Sequence, residues 1–171
     1  DTALQKTPFE PFILLEDDVS IKTFPETITI PEDSDWVFIG ISNMGVRKRR
    51  IVQNVCLEVV SDEDYFRVYN MLTTHGLIIN SLRGALGIHS ACLEGFYNSR
   101  VWDYYIAQIQ PWYKVYALKK PLVYQDEKYG GIVGTDITLN NVNSSELTKE
   151  YKNKDMVSFK ILSPKSIFFN V

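Results

Sequence analysis

The pattern of hydrophobic and polar positions along the chain changes near residue 81. Before that point, short apolar runs alternate with polar loops, which is typical of β-strands. Residues 12–15 (Phe-Ile-Leu-Leu) and residues 36–41 are continuous apolar runs, so we expect strands that are covered on both faces, as in a central parallel sheet. Further strands are predicted at residues 51–60, 66–71 and 76–79.

After residue 81 the apolar positions follow a helical spacing. Ser81 is a suitable N-cap for a helix whose apolar residues are Leu82, Ala85, Leu86, Ile88 and Leu93. A second, short helix is predicted at residues 103–110, because Pro111 would end it. Strands are then predicted at residues 112–118, 121–124 and 157–162. Strands and helices that alternate in this way favour an α/β domain.

Length and composition indicate one folded domain over residues 1–171. The chain is 45% hydrophobic and 23% charged, which excludes a disordered or collagen-like protein. Its net charge of -3 does not favour nonspecific binding to nucleic acid or to an anionic membrane, so we expect neither partner. A local basic cluster, Arg47-Lys48-Arg49-Arg50, is either a solvated loop or a binding site for an anionic group.

Several protein classes lack their sequence signals in this chain. Cys56 and Cys92 are far apart and form no CxxC pair, which excludes a disulfide scaffold and a cysteine-rich zinc site. No P-loop, GxGxxG, HExxH or GxSxG motif is present. There is neither a signal-peptide pattern nor an apolar run of membrane-spanning length, so we expect a soluble, cytoplasmic protein.

Three consecutive carboxylates, Glu16-Asp17-Asp18, directly follow the first apolar run. Like charges repel one another, so the triplet is costly unless solvent or a cation offsets the repulsion. In open α/β sheets, ligands bind at the carboxyl ends of strands, which is where this triplet falls. Oxygen ligands of this kind suit Mg²⁺ or Mn²⁺, and such an ion would bind a diphosphate. The alternative interpretation is a solvated acidic turn.

Residues 12–19 (Phe-Ile-Leu-Leu-Glu-Asp-Asp-Val) resemble the ILEDDV strand end of glycosyltransferase family 25, the lipopolysaccharide and collagen sugar transferases, and small viral glycosyltransferases are similar. Other segments resemble family motifs in the family's order, and together they span roughly residues 12–137. They are residues 36–40 (the W-D-x-L-x-L-G region), 74–81 (G-T-H-A-Y-L-I-S), 101–103 (an aspartate before an aromatic helix), 121–125 (P-P-L-V-x-Q) and 134–137 (S-D-I). Each motif is short, so their shared order is the stronger argument.

The resemblance implies a GT-A-like fold, with a mixed sheet flanked by helices, and a metal-dependent glycosyltransferase of hexosyltransferase type. It would move a sugar from a UDP- or GDP-sugar to a hydroxyl of a glycan or glycoprotein acceptor, with Mn²⁺ or Mg²⁺ as cofactor. The acidic triplet would act as a DxD-like motif, with Asp18 and Glu16 binding the metal and Glu16 and Asp17 binding the donor. His75 and Gln125 would complete the donor site, and Asp103 would be the catalytic base in an inverting enzyme.

The chain departs from the family at its N-terminal end. Only eleven residues precede the first predicted strand. Since a βαβ unit takes about 30 residues, we expect the nucleotide-binding part to be short or missing. This departure keeps an alternative open, namely a non-catalytic carbohydrate- or partner-binding module on the same scaffold. A third, weaker hypothesis is a metal-dependent hydrolase that uses the same carboxylates on a phosphate ester.

Overall fold

The computed structural model describes residues 8–21, 24–53, 55–60 and 64–125. The strand predicted at residues 157–162 and the motif at residues 134–137 lie outside these described residues. Within them, the secondary-structure elements are numbered here in chain order. The strands are β1 (Phe12–Leu15), β2 (Val19–Ile21), β3 (Trp36–Phe38), β4 (Gly45–Arg47), β5 (Arg50–Val52), β6 (Leu57–Val59), β7 (Tyr65–Val68), β8 (Gly76–Ile79), β9 (Val115–Leu118) and β10 (Val123–Gln125). The helices are α1 (Leu82–Tyr97) and α2 (Trp102–Ile109), and a short 3₁₀ turn follows α2 (Gln110–Trp112).

Six of the strands form one mixed sheet in the order β1-β8-β3-β9-β7-β6. The pair β3–β9 is parallel, and the other neighbouring pairs in this sheet are antiparallel. Two antiparallel ribbons, β2–β10 and β4–β5, lie beside it. The prediction of an α/β fold with a mixed sheet is therefore confirmed.

Alternating side chains give the sheet two buried faces, as the two-residue period of a strand requires. The central strand β3 is fully buried on both sides. One face packs against α1 and α2, and its sheet residues are Trp36, Phe38, Leu57, Phe66, Val68, Leu77, Ile79, Val115 and Ala117. The opposite face packs against residues 28–30 and the β2–β10 ribbon, and its sheet residues are Val37, Tyr65, Ile78 and Tyr116.

A buried carboxylate fixes the start of α1 to the start of β3. Ser81 is the N-cap of α1, as predicted, because its side chain accepts a hydrogen bond from Gly84 N. Ser81 Oγ also donates to Asp35 Oδ1 at 2.7 Å, and Arg83 Nη1 contacts Asp35 Oδ2 at 2.6 Å. Gly84 allows this approach, since a β-carbon there would lie 2.4 Å from the Asp35 carbonyl oxygen. At the end of the sheet where β3 begins, the contacts of Asp35 thus hold α1 against the sheet.

Two of the strand predictions were wrong. The strand β1 is not a central parallel strand covered on both faces: it pairs antiparallel with β8 at the edge of the described sheet. Phe12 and Ile13 are consequently 46% and 44% exposed. Residues 51–60 do not form one strand either, because β5 belongs to the small ribbon and β6 to the main sheet. An apolar run indicates a strand, but it does not reveal how many neighbours that strand has.

Candidate functional site

The candidate site lies at the edge of the sheet where β1 and β3 end and β8 begins. These three ends meet because β8 is antiparallel to both of its neighbours. Glu16 follows β1 directly, and its backbone N–H donates to the His75 carbonyl at 3.3 Å. On the other side of β8, the backbone N–H of Ile39 donates to the Gly76 carbonyl at 3.0 Å. The fold therefore places Glu16, His75 and the end of β3 side by side.

Two carboxylates of the acidic triplet converge on one amide. Gln125 Nε2 lies 3.3 Å from Glu16 Oε2 and 3.4 Å from Asp18 Oδ2. The ribbon explains this contact, because Gln125 of β10 pairs with Val19 of β2, the residue after Asp18. Thr74 donates its hydroxyl to the other oxygen of Glu16. Asp17, between the two converging carboxylates, is exposed.

A third carboxylate reaches the same site from the helical layer. Asp103 lies in the first turn of α2. Burial raises the pKa of Asp103. The pKa of Glu16 is raised mainly by burial and additionally by the negative charges of Asp18 and Asp103, while hydrogen bonds from Thr74 and Gln125 lower it. The structure thus brings Glu16, Asp18 and Asp103 into one electrostatic environment, although they come from distant parts of the chain.

Two oxygens of these carboxylates are buried without a partner. Neither Asp18 Oδ1 nor Asp103 Oδ1 has a hydrogen-bond partner among the described residues. A buried carboxylate oxygen without a partner is costly, because it loses its hydration and receives nothing in return. Each of these oxygens therefore calls for a partner from outside the described part of the chain, such as a water, an ion or a ligand.

His75 is buried beside the acidic residues. Its side chain is 2% exposed, and its Nδ1 shares a hydrogen bond with the Thr73 hydroxyl. The opposite edge of the ring lies against Gly40, where a β-carbon would come within 2.2 Å of Nε2. Burial lowers the pKa of His75 to about 4, although the charge of Asp18 acts in the opposite direction. His75 is therefore neutral at neutral pH.

The number and type of oxygen ligands decide whether this site fits a metal ion. Among the described residues, no group of three or more His, Cys, Asp or Glu side chains is arranged to hold an ion. Mg²⁺, however, is normally bound through one or two carboxylates together with waters and substrate phosphates. Glu16 and Asp18 supply two carboxylates that both contact the Gln125 amide. Asp18 Oδ1 has no partner in the described part of the chain. Two carboxylates match the number that a protein normally supplies to Mg²⁺.

Sequence reasoning missed several polar residues that support the site. Thr74 contacts Glu16, and Thr73 orients His75. Gln110, which is fully buried, binds both backbone groups of Met71, accepting from its N–H at 2.6 Å and donating to its carbonyl at 2.7 Å. The Gln110 amide therefore binds the Met71 backbone as a neighbouring strand would, and it holds in place the segment that leads from Met71 to His75. A threonine or glutamine in a sequence carries no signal that it will be buried.

A cavity of about 470 Å³ lies on the sheet face opposite the helices. Apolar side chains of Ile28, Ile30 and Leu122 line it, and Thr27, Thr29, Asp64 and Lys120 contribute polar groups. The segment 122–125 runs from this cavity to the carboxylate site, since Leu122 lines the cavity and Gln125 binds Glu16 and Asp18. Three residues of extended chain span about 10 Å. The cavity and the carboxylates therefore lie within reach of one extended ligand.

Comparison of the chain with protein-family models, with curated proteins and with solved structures gives no match. None of the helices in the described part of the chain is long and apolar enough to cross a membrane.

Proposed function

We propose that this chain is a metal-dependent glycosyltransferase, which moves a sugar from a nucleotide-diphosphate donor to a hydroxyl of a glycan or glycoprotein acceptor. One observation carries the proposal: Glu16, Asp18 and Asp103 lie in one electrostatic environment, and two of their buried oxygens have no partner among the described residues. A cluster of this kind costs stability unless it serves a cation and a ligand.

The donor side consists of Glu16, Asp17, Asp18 and Gln125. Glu16 and Asp18 would bind Mn²⁺ or Mg²⁺, because two carboxylates are the usual protein share of such a site. The bound cation would neutralise the negative charge of the leaving diphosphate. Gln125 holds both carboxylates from one side through its amide. Asp17 is exposed and free to contact the sugar or ribose.

The acceptor side is Asp103. In an inverting transfer, its carboxylate would take the proton from the acceptor hydroxyl as that oxygen attacks the donor sugar. Burial raises the pKa of Asp103, which makes its carboxylate a stronger base than a solvated aspartate. Its partnerless buried oxygen, Oδ1, supports this role because no residue in the described ranges competes for it.

The nucleoside end of the donor is assigned to the cavity beside Leu122. Its apolar walls suit a planar base, while Thr27, Thr29 and Asp64 offer groups that bind ribose or base edges. The short segment from Leu122 to Gln125 joins this cavity to the carboxylates.

The direct test is release of nucleotide diphosphate from a panel of UDP- and GDP-sugars in the presence of Mn²⁺ and a mixture of glycan acceptors. Glu16→Gln keeps the shape of the side chain but removes its charge, and Glu26→Gln makes the same change at an exposed control position. We expect turnover that chelation and Glu16→Gln abolish and that Glu26→Gln retains. Turnover that survives chelation would contradict the proposal, as would glycan binding with neither metal nor nucleotide dependence.

A further inference from the structure

The β4–β5 hairpin presents a run of cations on a two-residue turn. Arg47 pairs with Arg50, and Lys48 and Arg49 form the turn between them. The side chains of Lys48, Arg49 and Arg50 are exposed. No carboxylate in the described ranges lies within ion-pair distance of these three residues. This basic turn (residues 48–50) is thus a local positive surface on a chain whose net charge is -3.

The basic turn uses residues that are unfavourable in its backbone conformation. Lys48 and Arg49 have φ values of 47° and 63°. These are the positive φ values of a type I′ turn, in which Asn-Gly is strongly preferred. Side chains other than glycine, asparagine or aspartate are disfavoured there, and exceptions occur mainly at functional sites. The turn therefore carries Lys-Arg at a conformational cost that Asn-Gly would avoid.

The basic turn is held against the helix that carries Asp103. Tyr104 Oη donates a hydrogen bond to the Arg49 carbonyl at 2.8 Å, and Val46 packs with Tyr104 in a buried cluster. Arg100 adds a further cation, since its Cζ lies 5.7 Å from the centroid of the Tyr104 ring. Asp103 lies in the same first turn of α2 as Tyr104, so the basic turn packs against the helix end that carries Asp103.

We infer that the basic turn binds an anionic group of the acceptor, so that the acceptor class is an acidic glycan bearing carboxylate, sulfate or phosphate groups. This inference rests on the proposed function, which makes Asp103 the acceptor-side residue. The cations lie against the end of α2 that carries Asp103, and the negative charges of Asp18 and Asp103 both act on Glu16, so the site would attract a localised negative group and repel a long polyanion. An acidic glycan fits this arrangement better than nucleic acid, which binds extended basic surfaces.

The test compares hexasaccharides that differ in charge, namely one with uronic acid carboxylates, its carboxyl-reduced neutral form and a sulfated form. Binding to the full chain is measured by calorimetry at about 0.15 M salt, where charges further apart than about 8 Å are largely screened. The variant Lys48→Asn/Arg49→Gly removes two charges and introduces residues that the turn conformation favours. The control Lys114→Asn removes an exposed lysine charge at a position that lines neither the cavity nor the basic turn.

We expect at least one acidic hexasaccharide to bind about tenfold more tightly than the neutral form. The turn variant should lose this preference, and the lysine control should keep it. Equal binding of charged and neutral forms, no binding of any form, or an unchanged preference in the turn variant would overturn the inference. A single-stranded oligonucleotide that binds more tightly than both acidic hexasaccharides would overturn it as well.

Titration of UDP and GDP into the same preparations separates this inference from the proposed function. If a nucleotide binds with Mn²⁺ but the preference for charged hexasaccharides is absent, the inference of an acidic acceptor is wrong while the proposed glycosyltransferase function stands. If the preference is present but no nucleotide binds, the proposed function is wrong while the anion-binding role of the basic turn stands.

Discussion

The ring of His75 lies directly against the backbone of Gly40. A β-carbon on Gly40 would come within 2.1 Å of His75 Cδ2, closer than any two such atoms can approach. Gly40 lies two residues after the central strand β3, and His75 directly precedes β8 and accepts a backbone hydrogen bond from Glu16. The glycine therefore provides the space that allows the histidine to be buried at the candidate site.

Gly40→Ala should destabilise the protein because it forces the buried His75 ring to move. Overpacking of this kind costs about 1–3 kcal/mol of unfolding free energy, which chemical denaturation measures. The contact is isolated by repeating the substitution in a His75→Ala background, where most of the cost should disappear. Equal costs in the two backgrounds would show that the contact is not the cause.

The buried imidazole also predicts how stability depends on pH. The pKa of His75 is lowered from its ordinary value of 6.5 to about 4 in the folded chain. Between these values the unfolded chain binds a proton that the folded chain does not. The free energy of unfolding should therefore fall by about 3 kcal/mol as the pH drops from 6.5 to 4, and it is fully regained above 6.5.

Two carboxylates act against this dependence on pH. Burial raises the pKa of Glu16 and of Asp103, so their contribution to stability falls as the pH rises above their ordinary values of 4.5 and 3.8.

A variant of His75 separates its effect from that of the carboxylates. His75→Asn keeps a polar partner for Thr73 but removes the titrating ring. Urea denaturation at several pH values should show a positive slope in the parent chain that this variant loses. The same slope in both proteins would contradict the assignment to His75.

Much of the fold follows from the hydrophobic pattern, but the site does not. Ser81 and the apolar spacing after it predict α1, and the apolar run at residues 36–41 predicts β3, because both signals are local. The contact of Gln125 with Asp18 depends on pairing between β10 and β2. The three residues of β2, Val-Ser-Ile, give no strand signal of their own, so that pairing is fixed by tertiary contacts that the sequence pattern does not report.

The β4–β5 hairpin is a second feature that the sequence does not predict. The basic run at residues 47–50 predicts a loop or a binding site for an anionic group, and neither interpretation includes the hairpin that is observed. A hairpin with a two-residue loop is normally recognised from Asn-Gly or Asp-Gly. Here Lys48 and Arg49 occupy those positions, so the usual signal is missing.

Replacing the turn residues should therefore make the protein more stable. Lys48→Asn/Arg49→Gly removes two positive-φ side chains, each of which costs roughly 1–2 kcal/mol. We expect a net gain of about 1–2 kcal/mol in the free energy of unfolding. The single variant Arg50→Gln removes a charge at the first residue of β5, where φ is not positive, and should leave stability within about 0.5 kcal/mol. A loss of stability in the double variant would contradict the role of the turn conformation.

The cavity assignment predicts an effect of filling it. Thr29 is exposed and lines the cavity, so Thr29→Trp should occupy its space without disturbing the core. We expect UDP or GDP to bind at least about tenfold more weakly, a loss of about 1.4 kcal/mol. Glu26→Trp adds the same side chain at an exposed position that does not line the cavity. Equal nucleotide affinity in these two variants would place the nucleoside elsewhere.

The central claim is that Glu16 and Asp18 bind a cation that in turn binds a nucleotide diphosphate. The most direct measurement is calorimetric titration of UDP, and then GDP, with and without Mn²⁺, repeated on Asp18→Asn and on the exposed control Asp33→Asn. We expect Mn²⁺-dependent binding of one nucleotide, which Asp18→Asn abolishes and Asp33→Asn retains. No nucleotide binding under any condition, or binding that is indifferent to both Mn²⁺ and Asp18, would contradict it.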